Sequence, residues 1–129
     1  MILVYYSLGG NVERFCQNTG LISIEITETN PFFEILVDYV LVVPTYDAIA
    51  TEPIWDFLNT GKNAKNCVGI AGSGNINFDD LYIFTAKDLS KEFNIPIIYD
   101  FEYFGTKRDV ENFKREVEKL EVSKTNQYK

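Results

Sequence analysis

The chain has 129 residues, 46% of them hydrophobic, and a formal net charge of -7 at pH 7. This length and apolar content predict one domain with its own core, and the acidic balance argues against nucleic acid and anionic membrane surfaces as partners. The absence of histidine excludes a Ser-His or Cys-His nucleophile pair and removes the commonest metal ligand.

Five apolar runs rich in Val, Ile and Tyr predict strands that are buried on both faces of a sheet. They span residues 2–6, 21–26, 39–43, 67–71 and 95–101. Helical patterns separate most of these runs, and this alternation predicts a doubly wound α/β fold. The stretch between the second and third runs leaves little room for a helix and contains Pro31, so we expect a short or irregular connection there.

Four stripes of apolar side chains at helical spacing predict the helices. The stripes are Val12, Phe15 and Cys16; Ile54, Phe57 and Leu58; Tyr82, Ala86, Leu89 and Phe93; and Val110, Phe113, Val117 and Leu120. Asp79 and Asp80 fit the opening of the third helix, where an acid offsets the helix dipole. Thr106 and Asp109 resemble a capping box at the start of the fourth helix.

The two ends of the chain differ in character. The N-terminus begins with a short apolar strand and lacks a basic leader, and the apolar runs are too short to span a bilayer, so we expect a cytoplasmic protein. The domain is predicted over residues 1–121, followed by a polar tail over residues 122–129 that we expect to fray.

Cys16 and Cys67 form no CxxC pair and are expected to be buried. The spacing of the acidic residues matches no metal template, and we predict no metal site.

Three of the predicted strands are followed by loops, and the carboxyl ends of parallel strands meet at one edge of a sheet. The first loop reads Ser7-Leu8-Gly9-Gly10-Asn11. Its glycines permit positive φ, so successive N–H groups can surround a phosphate at the N-terminus of the next helix. Ser7 adds a hydroxyl donor, and Asn11 adds an amide that can also cap the helix. The alternative is a plain strand-to-helix turn.

The second loop (residues 45–48) and the third loop (residues 72–78) carry aromatic side chains. Tyr46 in the second loop and Phe78 in the third can each hold a flat ring, and the glycines and asparagines of the third loop suit a tight turn. The alternatives are a half-buried tyrosine and ordinary core packing. Together the three loops favour flavin mononucleotide (FMN), which needs a phosphate site and a ring site.

Four segments together resemble the NrdI family, small flavodoxin-like proteins that bind FMN and serve class Ib ribonucleotide reductase. The segments are SLGGNVERF at 7–15, PTY at 44–46, GSGNINF at 72–78 and IPIIYDFEYFGTKRDV at 95–110. The resemblance implies a flavodoxin-like, five-stranded parallel sheet in the order 2-1-3-4-5 with helices on both faces. The chain departs from the family pattern at Gly9, which replaces a threonine, at Asp79, which replaces a glycine, and at Asp47, where glycine is frequent.

The resemblance implies that the chemistry occurs on FMN and that no side chain is catalytic. The implied phosphate site consists of Ser7, Leu8, Gly9, Gly10, Asn11 and Val12. The implied ring site consists of Thr45, Tyr46, Asp47, Ala48, Ser73, Gly74, Asn75, Asn77 and Phe78. Asp47 and Ala48 are expected to tune the flavin, because a peptide that bears a side chain flips less freely than a glycine peptide. We therefore expect poor stabilisation of the one-electron-reduced flavin.

The implied function is activation of the small subunit of class Ib ribonucleotide reductase. Reduced FMN reacts with oxygen to supply a superoxide-type oxidant for assembling the dimanganese-tyrosyl radical centre of that partner, and an unidentified reductant supplies electrons. Two alternatives stay open: a general flavodoxin-type electron carrier, and a cofactor-free interaction domain on the same fold.

Overall fold

The computed structural model describes residues 1–127, with five strands and five α-helices. The strands are β1 (Ile2–Tyr5), β2 (Ser23–Glu25), β3 (Tyr39–Val43), β4 (Cys67–Gly74) and β5 (Ile97–Glu102). The helices are α1 (Asn11–Thr19), α2 (Glu52–Leu58), α3 (Asn63–Asn66), α4 (Phe84–Phe93) and α5 (Lys107–Gln127), with a 3-10 turn over Ile76–Leu81.

The strands form one parallel sheet in the order β2-β1-β3-β4-β5. This order confirms the predicted doubly wound arrangement. The central strand β3 is buried along its whole length, which explains why its sequence is a continuous apolar run rather than an alternating one.

Helices cover both faces of the sheet, as predicted. Val4 and Leu41 pack in one core with side chains of α2 and α4, whereas Leu3 and Val40 pack in a second core with side chains of α1 and α5. Successive residues of a strand point to opposite faces, so the strands β1, β3, β4 and β5 each contribute to both cores, whereas the short edge strand β2 contributes Ile24 to the first core alone. Burial of one large apolar side chain stabilises such a core by roughly 1.5–3 kcal/mol.

Strand β4 is longer than the sequence predicts. It continues to Gly74 because Gly72, Ser73 and Gly74 pair with β5. The first part of the third loop therefore belongs to the sheet, and the loop itself begins at Asn75. A Cβ atom on Gly72 would lie 2.9 Å from the Cβ of Ala86, so this glycine allows α4 to pack closely on the strand.

The predicted helix opening at Asp79 and Asp80 is wrong. Asp79 has φ 48° and ψ −114° inside the 3-10 turn, and Ile83, directly before α4, also has φ 48°. These left-handed residues interrupt the helical path, so α4 begins only at Phe84. A β-branched residue such as isoleucine rarely adopts this conformation, and its sequence gives no warning of it.

The polar tail predicted over residues 122–129 begins inside a helix, and its fraying stays a prediction. Helix α5 continues to Gln127 without a break at residue 121, and residues 128–129 lie outside the described part.

Among the described residues, no helix combines the length and the apolar character that are needed to span a membrane.

The connection between β2 and β3 is irregular, as predicted, and side chains hold it in place. Asn63 is fully buried. Its Oδ1 accepts a 2.8 Å hydrogen bond from the Ile35 N–H, and its Nδ2 donates to the carbonyls of Phe33 and Phe57 at 2.8 Å each. Asn66 Nδ2 also donates to the Ile35 carbonyl, at 2.9 Å. These amides replace the hydrogen bonds that a crossover helix makes internally.

The capping box of α5 is confirmed. The Thr106 N–H donates to Asp109 Oδ2 at 2.8 Å, and the Asp109 N–H donates to Thr106 Oγ1 at 3.1 Å. Tyr99 Oη donates to the other oxygen of Asp109 at 2.7 Å. Burial alone would raise the pKa of Asp109, but these hydrogen bonds from Thr106 and Tyr99 outweigh burial and lower it.

This lowered pKa predicts a pH-dependent contribution to stability. The carboxylate should stabilise the fold fully above the unfolded-state pKa, and the contribution should disappear as the pH falls through the lower folded-state pKa. We expect Asp109→Asn to lower the free energy of unfolding by about 1 kcal/mol at pH 7. The difference from wild type should shrink below about pH 4, as measured by urea titration across pH, with Asp88→Asn on α4 as the charge-matched control. A difference that stays constant down to pH 2 would contradict the assignment.

Candidate functional site

The three loops meet at one cleft on the carboxyl edge of the sheet. The cleft has a volume of about 430 Å³, within the size range of small-molecule sites. The predicted site residues that line it are Leu8, Asn11, Thr45, Tyr46, Asp47, Ser73, Gly74, Asn75 and Phe78. The other predicted residues belong to the same segments without lining the cleft; they are Ser7, Gly9, Gly10, Val12, Ala48 and Asn77.

The first loop has the backbone of an anion site. Gly9 has φ 80° and Gly10 has φ 90°, and these two left-handed residues lead directly into α1. Within the described chain, the N–H groups of residues 8–12 have no hydrogen-bond acceptor. Successive free N–H groups at a helix N-terminus attract an anion through their partial positive charge.

Ser7, rather than Asn11, caps α1. Ser7 Oγ accepts a 3.2 Å hydrogen bond from the Glu13 N–H, whereas Asn11 is the first helical residue and the formal N-cap, Gly10, provides no side chain. The capping role predicted for Asn11 is therefore wrong, because its position is one residue too late. The Ser7 hydroxyl still has a proton to donate, and Asn11 faces the cleft.

The second loop holds Tyr46 at the mouth of the cleft. The Tyr46 N–H donates to Thr85 Oγ1 at 3.2 Å, and its carbonyl accepts from the same hydroxyl at 3.0 Å. Its side chain is 41% exposed, and its Oη donates to the Leu8 carbonyl at 3.1 Å. A tyrosine ring that is fixed at the backbone and at the hydroxyl presents a rigid flat face.

Asp47 closes the turn that leads toward α2. Its Oδ1 accepts from the Ala50 N–H at 2.8 Å, and its carbonyl accepts from the N–H and the hydroxyl of Thr51. These bonds restrain the Asp47 backbone in this structure. The effect of Asp47 and Ala48 on a flavin stays a prediction.

The third loop is a tight turn with an exposed aromatic ring. Asn75 Oδ1 accepts from the Asn77 N–H at 3.0 Å, and the Asn75 carbonyl accepts from the Phe78 N–H at 3.0 Å. The Phe78 side chain is 62% exposed, so it is not the core residue that the alternative interpretation requires.

Two residues of the predicted ring site, Thr45 and Ser73, line the cleft, and their hydroxyl groups hold the loops together. Thr45 Oγ1 donates to the Ser73 carbonyl at 2.7 Å, and Ser73 Oγ donates to the Tyr103 carbonyl at 2.5 Å. Thr45 and Ser73 therefore shape the cleft wall with protons that are already committed to backbone carbonyls.

Sequence reasoning missed four lining residues: Pro44, Leu81, Phe84 and Tyr103. Tyr103 follows β5 and has φ 52°, with its N–H donating to the Gly74 carbonyl at 3.2 Å. Because β5 ends at the same edge of the sheet as β4, the loop after this strand was a detectable candidate. Leu81 and Phe84 were hidden by the mistaken start of α4.

Asp79 adopts a conformation that favours glycine, at the position where the family pattern has glycine. We expect Asp79→Gly to raise the free energy of unfolding by about 1 kcal/mol, because glycine removes the left-handed strain. Asp80→Gly, at a neighbour with ordinary φ, should be neutral or destabilising. Urea titrations of both variants provide the comparison, and a destabilised Asp79→Gly would show that no strain is stored there.

The cleft has few charged groups. Asp47 is the one charged residue among those that line it. Burial raises the pKa of the Cys16 and Cys67 thiols to about 12, so neither is a thiolate nucleophile at neutral pH. The described residues contain no group of three or more acidic or cysteine side chains that could hold a metal ion.

The cleft fits the parts of a flavin. The aromatic faces of Tyr46, Phe78 and Tyr103, together with Leu81, suit a flat apolar ring system. The free N–H groups of residues 8–12 suit a phosphate. Asp47 and Asn75 line the same cleft, and their polar groups suit the polar edge of the ring.

The fold is shared with solved flavodoxins. A short-chain flavodoxin associated with a PDU bacterial microcompartment superimposes with a TM-score of 0.65 at 20% identity, over 95% of this chain and 96% of that chain. Oxidised flavodoxin 2 from Bacillus cereus gives a TM-score of 0.61 at 19% identity, over 86% of this chain and 90% of that chain. The protein is therefore flavodoxin-like.

The sequence matches the NrdI flavodoxin-like family model over residues 3–115, and the chain belongs to this family. Protein NrdI of Streptococcus pyogenes serotype M2 (strain MGAS10270) is 36% identical over 118 residues, covering 85% of this chain and 73% of that protein. Its counterpart in serotype M4 (strain MGAS10750) is also 36% identical, with 82% of that protein covered. A flavodoxin-like family implies a flavin cofactor.

Part of the sequence pattern shared with the family is structural. The Phe15 ring stacks on Phe101 with centroids 3.8 Å apart, and the Arg14 guanidinium lies 3.9 Å from the Phe104 ring centroid. A Cβ atom on Gly105 would lie 2.8 Å from Phe15. These contacts pack α1 against β5 and the loop after it, and so hold in place the helix that follows the first loop.

Proposed function

We propose that the protein binds FMN in the cleft and activates the small subunit of class Ib ribonucleotide reductase. The observation that supports this most directly is the placement of a loop of free N–H groups beside an aromatic cleft. An FMN molecule needs both features at once, with the phosphate at one and the ring at the other.

The residues have distinct roles in this proposal. The N–H groups of residues 8–12 and the Ser7 hydroxyl donate to the phosphate, and Tyr46 and Phe78 provide apolar faces for the ring. Backbone groups near Asp47 and Asn75 meet the polar edge of the ring. The protein thereby orients the cofactor, while no side chain acts as an acid or base.

Reduced FMN supplies the redox chemistry, the reduction of oxygen to a superoxide-type oxidant. The recipient is the dimanganese small subunit, whose tyrosyl radical centre the oxidant assembles, and an unidentified flavin reductant provides electrons. The partly exposed apolar side chains around the cleft, Tyr46, Phe78 and Tyr103, leave its mouth open to oxygen and to a partner.

Purification of the chain followed by a manganese-dependent assay tests the proposal. We expect a yellow protein that absorbs near 450 nm, binds FMN below micromolar concentration, and after reduction generates a tyrosyl radical in the manganese-loaded small subunit only when oxygen is present. A colourless protein that does not take up FMN would indicate a cofactor-free domain. An FMN protein that transfers electrons without producing the radical would indicate a general electron carrier.

A further inference from the structure

The Tyr46 hydroxyl joins the second loop to the first. Tyr46 Oη donates to the carbonyl oxygen of Leu8, 3.1 Å away and 38 positions earlier in the chain. The same hydroxyl lies 3.7 Å from the position that a Cβ atom on Gly9 would occupy. The Leu8–Gly9 peptide, in the middle of the loop with free N–H groups, is therefore in contact with Tyr46.

The backbone of Tyr46 is held by hydrogen bonds to helix α4. Both the N–H and the carbonyl of Tyr46 bond to Thr85 Oγ1, and Thr85 is buried. Because these bonds restrain the Tyr46 backbone, the position of its hydroxyl group is also restrained. The hydroxyl therefore keeps the Leu8 carbonyl pointing toward Tyr46.

This direction determines where a neighbouring donor points. In a trans peptide the carbonyl and the following N–H point in opposite directions, so a Leu8 carbonyl held toward Tyr46 turns the Gly9 N–H away from it. Gly9 and Gly10 lack side chains, and peptides next to glycine reorient at low cost. Without the Tyr46 hydroxyl, the Leu8 carbonyl could turn in among the N–H groups of residues 8–12 and repel an anion.

We infer that Tyr46 determines specificity for the phosphate of the flavin, an inference that rests on the proposed FMN function. Its ring contacts the flavin ring, while its hydroxyl keeps the first loop in the conformation that binds a phosphate dianion. The hydroxyl therefore favours FMN over riboflavin, which has the same ring system and no phosphate.

Tyr46→Phe separates the hydroxyl from the ring. We expect the Kd for FMN to rise about fivefold, the effect of one lost hydrogen bond, while the Kd for riboflavin changes by less than about twofold. Both are measured by quenching of flavin fluorescence with the apoprotein. Inorganic phosphate should also compete with FMN less well in the variant than in the wild type.

Tyr103→Phe is the matched control, since Tyr103 lines the same cleft and its hydroxyl forms no hydrogen bond among the described residues. Its ratio of riboflavin Kd to FMN Kd should equal that of the wild type. Equal losses for both ligands in Tyr46→Phe, or no loss, would overturn the inference while flavin binding stands. A wild type that binds riboflavin as tightly as FMN would also overturn it. A wild type that binds neither flavin would remove the proposed function, and the inference with it.

Discussion

Asn63→Ala is expected to lower the free energy of unfolding by about 3 kcal/mol. The side chain is fully buried and forms three hydrogen bonds of 2.8 Å, one from the Ile35 N–H and two to the carbonyls of Phe33 and Phe57. Alanine would leave the Ile35 N–H and the Phe33 carbonyl without these partners, which costs more than the loss of an exposed hydrogen bond. The Phe57 carbonyl would keep its 3.0 Å bond from the Thr60 N–H. Urea denaturation followed by circular dichroism measures the loss.

Two further variants sharpen this expectation. Asn59→Ala, at an exposed position one helix earlier, should change stability by less than about 0.5 kcal/mol. Asn63→Asp keeps the acceptor for Ile35 and removes the donor to the two carbonyls, so its loss should also be large. A loss below about 1 kcal/mol in Asn63→Ala would mean that water or another group satisfies the connection.

Gly10→Ala is expected to raise the Kd for FMN about tenfold. No atom lies within 4 Å of the Cβ that alanine adds, but φ at this position is +90°. Alanine costs roughly 1–2 kcal/mol in that conformation. The free loop can relax to a negative φ, so binding must then restore the unfavourable conformation, and the apparent affinity falls by the fraction of competent molecules.

Gly20→Ala supplies the comparison for this variant. Gly20 has φ +72° and open space around its Cβ position, but it ends α1 rather than beginning it. Gly20→Ala should therefore lower stability by about 1 kcal/mol and leave the Kd for FMN unchanged. Gly10→Ala, whose free loop relaxes, should lower stability by less and raise the Kd. Equal Kd values for the two variants and the wild type would show that the first loop does not contact the cofactor.

The strands and helices could be predicted well because each leaves a pattern of apolar residues within a short stretch of sequence. Apolar runs that are buried on both faces, such as residues 39–43, are unambiguous, and the four helical stripes lie between them. The capping box at Thr106 was equally readable, since it depends on two residues three positions apart. The strand order 2-1-3-4-5 came from the resemblance rather than from the periodicity, because periodicity does not encode which strands are neighbours.

The errors fall where long-range contacts override local preference. Asp79 and Asp80 have the composition of a helix start, but positive φ at Asp79 and Ile83 delays α4 to Phe84. The role of Asn63 could not be predicted from the sequence, because its hydrogen-bond partners lie about 6 to 30 residues away along the chain. No single-sequence pattern distinguishes such a buried amide from an ordinary surface asparagine.

The site was predicted as three loops, and the structure brings all three together. Tyr103 forms a fourth wall of the cleft, and sequence reasoning missed it because the loop after β5 has no run of glycine and asparagine residues like the one in the third loop. Thr45 and Ser73 were predicted to lie at the ring site, and the structure shows in addition that their hydroxyl groups bond between loops. A sequence indicates which residues lie at an edge, but it does not show which hydrogen bonds are already taken.

The positions of the cysteine and methionine residues affect how well the protein resists oxidation. Both thiols are buried and have a raised pKa, and the chain has a single methionine, Met1. Peroxide attacks thiolates and accessible thioethers first. In the proposed reaction of reduced FMN with oxygen, the oxidant that forms would therefore meet few reactive sulfur atoms. Both cysteines should remain unmodified after repeated turnover, as mass spectrometry can show.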